Sequence, residues 1–177
     1  MAEHLIAEHP EHVNARSGSK ETPIHVAAFA GHTDILLLLL EHGVDVDDRD
    51  SHDQTPLFQA SCTGTLEAEQ CLLDRGADID ARDEDRWTPL LSAVFAEDVE
   101  FARMLLICGA SINARDSDDR SSLARAIVRG NIQLVRLLLE HDAAPHEWCE
   151  TPSQFGSSLD EHEIVERLSE YGAKSVM

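Results

Sequence analysis

Aromatic residues are scarce in this chain. Five Phe, two Trp and one Tyr are spread over 177 residues, so two aromatics on one face would stand out. Basic residues are few as well. Fourteen Lys and Arg stand against 34 Asp and Glu, a formal net charge of −20, and the sequence pI is near 4.6. A surface of that sign repels phosphate backbones and anionic membranes, which argues against nucleic acid and membrane as partners. It favours solubility and a protein partner that is basic at the contact. Only four cysteines occur, Cys62, Cys71, Cys108 and Cys149. Their spacing fits neither a zinc site nor a disulfide framework, and the compartment expected is reducing: cytoplasmic, with the nucleus as the alternative. Long apolar runs are missing. The longest, Ile35 to Leu40, falls far short of the roughly 20 residues that a membrane-spanning helix needs. The N-terminus shows no basic stretch followed by an apolar one.

Catalytic signatures are missing too. There is no Gly-x-x-x-x-Gly-Lys phosphate loop, no Gly-x-Ser-x-Gly elbow and no His-Glu-x-x-His pair. His141, His146, Cys149 and His162 gather near one irregular connector, but in no standard zinc spacing. The expectation is a non-enzymatic chain with no cofactor and no metal.

What is present is a repeat. Thr22-Pro23 recurs as Thr55-Pro56 and Thr88-Pro89, with Ser121-Ser122 next, each step being 33 residues. A threonine before a proline starts a helix: the hydroxyl accepts from a free N–H of the first turn, and proline suits the first helical position. Gly31 breaks that helix, and a second runs from Asp34 to Glu41. Gly43, Gly76 and Gly109 end the second helices in phase, with Asp142 in the fourth place. Val13-Asn14-Ala15, Val46-Asp47-Asp48, Ile79-Asp80-Ala81 and Ile112-Asn113-Ala114 keep the same step, as do Arg16, Arg49, Arg82 and Arg115. One such unit is too small to bury its own apolar face, so neighbours must stack.

Thr-Pro, a following short helix rich in Ala, and a period of 33 are the marks of ankyrin repeats. The chain resembles the ankyrin repeat family over nearly its whole length. The resemblance implies an all-α ankyrin repeat solenoid of stacked helix-turn-helix units with short β-hairpin loops. The expected division is a single domain, 1–177. It opens with a partial N-terminal unit at 1–21 and continues with repeats at 22–54, 55–87, 88–120 and 121–150. A degenerate capping unit at 151–177 closes it. In family phase Asp34, Glu67, Glu100 and Gln133 face solvent, Leu37 is the apolar exception in the column of Gln70, Arg103 and Arg136, and Cys71 is buried. His25 falls where the family's histidine bridges loop backbones and the threonine hydroxyl. The junction after Asp142, with Pro145 and a shortened connector, is expected to be the weakest.

The resemblance also places a binding site. Ankyrin fingers and first helices line a concave groove, and the matching positions here carry the candidate partner-binding residues Phe29, His52, Glu84, Asp85, Trp87, Phe95, Asp118, Arg120 and Arg129. Trp87 and Phe95 are the type of residue that anchors interfaces. Glu84 and Asp85 beside them suit a basic partner residue. Family repeats carry Gly two residues before the threonine. Lys20, Asp53, Arg86 and Asp119 stand there in this chain, so an altered finger tip is expected. The leading expectation is a monomeric protein–protein interaction module. The alternative is a structural or autoregulatory ankyrin segment of a larger protein.

Overall fold

The computed structural model describes residues 10–144. Within them a short 3-10 turn, Pro10–Asn14, precedes four helix pairs. These are α1 (Pro23–Phe29) with α2 (Thr33–Glu41), α3 (Pro56–Ser61) with α4 (Leu66–Asp74), α5 (Pro89–Phe95) with α6 (Val99–Ile107), and α7 (Ser122–Val128) with α8 (Ile132–Glu140). Each first helix packs on the next first helix, and each second helix on the next second helix. The result is an all-α solenoid. No named strand occurs among the described residues; a single antiparallel bridge, Arg115 with Ser121, is all the β pairing the fingers show.

The helix starts follow the Thr-Pro pattern. The hydroxyls of Thr55, Thr88 and Ser121 accept from the N–H groups of Phe58, Leu91 and Ala124, each at 3.3 Å. In the first repeat a histidine takes over. Thr22 N–H donates to His25 Nδ1 at 3.3 Å, so that nitrogen carries no proton. Nε2 therefore carries it and donates to the Gln54 carbonyl at 3.1 Å. The Thr22 hydroxyl lies 2.9 Å from Nδ1. His25, fully buried, thus ties the first repeat to the second finger. The other repeats have Phe58, Leu91 and Ala124 at this place and make no such bridge.

Small residues let the first helices approach one another: Ala27, Ala28, Ala60, Ser61 and Ala93 are all buried. Gly31 shows how tight the turn is. Its φ is +69°, and a Cβ there would meet Thr65 Cγ2 at 2.6 Å. The second helices supply the larger core side chains, Leu36, Leu72, Phe101, Leu105, Leu134 and Leu138. Asp34, Glu67, Glu100 and Gln133 face outward, and Cys71 is buried. Burial pushes the Cys71 thiol above its ordinary value. Asp142 adopts φ +63°, the left-handed conformation that Gly43, Gly76 and Gly109 hold in the preceding repeats. The connector from Pro145 and the capping unit at 151–177 lie outside the described residues.

One core position breaks the apolar rule. Leu36, Ala102 and Val135 occupy the same column in their repeats, and Glu69 occupies it in the second. Glu69 is fully buried, and neither carboxyl oxygen has a hydrogen-bond partner. Desolvation first, then the nearby Asp98 and Glu67 charges, push its pKa up to about 8. The side chain is therefore mostly a neutral acid at pH 7.

Candidate functional site

The concave face is built from the fingers and the first helices. The second, third and fourth fingers are each closed by an aspartate at the base; Ser17 stands at that place in the first. Asp50 Oδ1 accepts from the N–H groups of His52 and Gln54 at 2.8 and 3.0 Å. Asp83 Oδ1 does so from Asp85 and Trp87 at 3.0 and 2.8 Å. Asp116 Oδ1 does so from Asp118 and Arg120 at 2.9 and 3.0 Å. Burial pushes the Asp83 carboxyl upward, against the lowering effect of its two N–H donors. Lys20, Asp53, Arg86 and Asp119 all sit in the left-handed region, with φ from +58° to +62°. The tip thus keeps a glycine-type conformation without glycine, and the altered geometry expected from these residues does not occur. The backbone bends as a Gly tip would, at a strain of about 1 kcal/mol per residue.

Successive fingers are joined by the backbone. Ser51 N–H donates to Ser19 O at 2.9 Å, Glu84 N–H to His52 O at 3.0 Å, and Ser117 N–H to Asp85 O at 2.9 Å. The repeating arginines reinforce this. Arg16 donates to the carbonyls of Lys20 and Arg49, both at 3.0 Å, and Arg49 to those of Asp53 and Arg82 at 2.8 and 2.6 Å. The finger row is therefore a fixed wall that sets the register of the side chains on it.

On this wall the third and fourth fingers and the first helices α5 and α7 bring together a continuous cluster. The Trp87 and Phe95 rings meet edge to face, 5.2 Å apart at 76°. The Arg125 guanidinium lies 4.2 Å from the Trp87 ring centre, and the Arg129 guanidinium 4.1 Å from that of Phe95. Arg125 is anchored from behind: its Nε donates to Asp116 Oδ2 at 2.6 Å, and its Nη2 pairs with the same oxygen. Asp118 Oδ2 is 3.9 Å from Arg125 and 3.7 Å from Arg120. Phe95 nevertheless keeps 48% of its surface exposed, and Val128, one repeat further along the same column, 58%. Phe95, held by packing and yet open to solvent, forms with the part-buried Trp87 and the exposed Val128 a pre-organised apolar platform.

Of the residues singled out in the sequence, Trp87, Phe95, Asp118, Arg120 and Arg129 belong to this cluster. Glu84 and Asp85 occupy the tip of the third finger, beside it. His52 is on the second finger, with Nε2 4.0 Å from Glu84 Oε1. Phe29 is exposed too, but two repeats away in the column of Phe95. Arg125 was missed. Its signal was present: it stands nine residues after Asp116, where Gln59 follows Asp50 by the same step and also donates to that aspartate, at 3.3 Å.

The opposite, convex face carries an open groove of about 890 Å³ along α2, α4 and α6, with Leu37, Leu66, Met104 and Ile107 in its lining. Leu37, the apolar exception in its column, is part of that groove.

The family model for ankyrin repeats (3 copies) matches this chain at residues 1–83, 53–116, 70–151 and 90–176. The chain belongs to the ankyrin repeat family. No curated protein matches it. Ankyrin repeats are generally protein–protein interaction modules, and the fold is non-catalytic. Among the described residues of this ankyrin array, no group of His, Cys, Asp and Glu could hold a metal ion. No described helix is long and apolar enough to cross a membrane.

Proposed function

We propose that this ankyrin array is a non-catalytic interaction module that docks a segment of a partner protein on its concave face, centred on Trp87 and Phe95. The observation that carries this reading is the edge-to-face pair of an exposed Phe95 and a part-buried Trp87, braced by two arginines. Interface energy concentrates in Trp, Tyr and Arg at the centre of a contact, and a platform that is already ordered loses little freedom on binding. The tip carboxylates of Glu84 and Asp85 suit basic residues of the partner, as does the net charge of −20. The described thiols, Cys62, Cys71 and Cys108, are all unpaired, which supports a reducing compartment and a cytoplasmic or nuclear place of action. The module is taken to act as a monomer without cofactor.

Affinity purification with wild type and with Trp87→Ala/Phe95→Ala tests this, once circular dichroism shows both chains helical. Partners that bind the wild type should be lost or weakened at least about 30-fold in the variant, since two anchors of about 1–2 kcal/mol each are removed. A partner retained at full strength by the folded variant would move the site to the convex groove at Leu37.

A further inference from the structure

We propose that the docked segment is charge-sorted: the residue that rests on Phe95 and Val128 is apolar, and an Asp or Glu beside it binds Arg129. This deepens the docking reading above and rests on it.

The charge of the whole chain points to a basic partner, but the platform itself is lined by Arg120, Arg125 and Arg129. A lysine or arginine brought onto Phe95 would meet these cations. The three are not equivalent. Arg125 is spent: its fork is committed to the fully buried Asp116, and its flat face to Trp87. Arg129 is different. It lies over the exposed Phe95, 37% of its own side chain is exposed, and its acidic neighbour Glu97 is 3.7 Å away and half exposed. An ion pair so open to water holds weakly. It gives way to a carboxylate that arrives with an apolar side chain and is desolvated against the ring. Guanidinium over an aromatic face keeps its N–H edge free for two parallel bonds to a carboxylate. The acids at the platform are already matched, Asp118 by Arg120 and Arg125 and Glu97 by Arg129, whereas Asp53, Glu84 and Asp85 lie on the tips, where basic residues of the same segment fit. The groove thus reads a direction: basic along the fingers, acidic at the Arg129 end.

A display library of random 12-residue peptides, selected on wild type, on Arg129→Glu and on Trp87→Ala/Phe95→Ala, tests this. The wild-type pool should be enriched in Asp or Glu within two residues of an apolar anchor. Arg129→Glu should bind those peptides about tenfold more weakly or worse, the value of one charge-assisted pair, and its own pool should favour Lys or Arg there. Arg129→Gln, which keeps a polar side chain over Phe95, should lose the acidic preference without gaining a basic one. A wild-type pool with basic or no charge preference beside the anchor overturns the proposal. So does an acidic preference that survives Arg129→Glu. The docking reading has its own readout in the same experiment: wild-type peptides that bind Trp87→Ala/Phe95→Ala equally well overturn it, whatever their charge.

Discussion

Glu69→Gln is expected to raise stability by about 3 kcal/mol at pH 7 and by almost nothing near pH 4.5. The carboxyl is fully buried without a hydrogen-bond partner, in a column otherwise filled by Leu36, Ala102 and Val135. Its folded pKa of about 8 lies above the ordinary 4.5. The folded chain therefore holds a proton that the unfolded chain releases once the pH passes about 4.5. Stability from this group is complete below that value, falls by about 1.4 kcal/mol per pH unit as pH rises, and levels off above about 8. Gln cannot ionise, so this slope disappears in the variant. At pH 7 the midpoint of thermal unfolding should rise by about 6–12 °C. Urea titrations of both chains at pH 5, 7 and 8.5 measure the effect. A constant difference across that range would show that Glu69 does not titrate with folding.

Arg125→Met should act in the opposite direction, costing about 3–5 kcal/mol. The size follows from what it leaves behind. Asp116 is fully buried, and its outer oxygen takes both of its charged contacts from Arg125. Methionine keeps most of the stem volume, so the loss is mainly electrostatic. The guanidinium over Trp87 goes as well. Adding Asp116→Asn to Arg125→Met should recover much of the stability, since the amide still accepts from the N–H groups of Asp118 and Arg120 while the unpaired charge is gone. Chemical denaturation of the two variants decides it. A loss under 1 kcal/mol for Arg125→Met alone would mean that solvent reaches Asp116 and that the platform is not braced.

The two residues differ in how far the sequence discloses them. Helix starts were legible because Thr-Pro has one physical use at that position, and helix ends because Gly43, Gly76 and Gly109 recur in phase. Trp87 and Phe95 were legible as a pair because aromatics are rare and family phase puts both on one face. Glu69 was legible only by comparing columns: within α4 alone it is one more acid on an amphipathic helix. Arg125 was harder. Its two partners, Asp116 and Trp87, lie nine and 38 residues upstream, and only the stacking of fingers on first helices brings all three together. The finger tips misled for another reason. Lys20, Asp53, Arg86 and Asp119 look unfit for a positive φ, yet the backbone turn and the finger-to-finger bonds hold them there, with an aspartate closing the turn in the last three.

The central claim is that the concave face formed by the third and fourth fingers with α5 and α7 receives the partner. Hydrogen-exchange mass spectrometry tests it most directly, on the ankyrin array alone and with the partner recovered through the wild-type chain. Added protection should concentrate in segments 84–97 and 117–129, with α2, α4 and α6 unchanged along their convex faces. Protection confined to the helices around Leu37, Leu66 and Ile107 would contradict it.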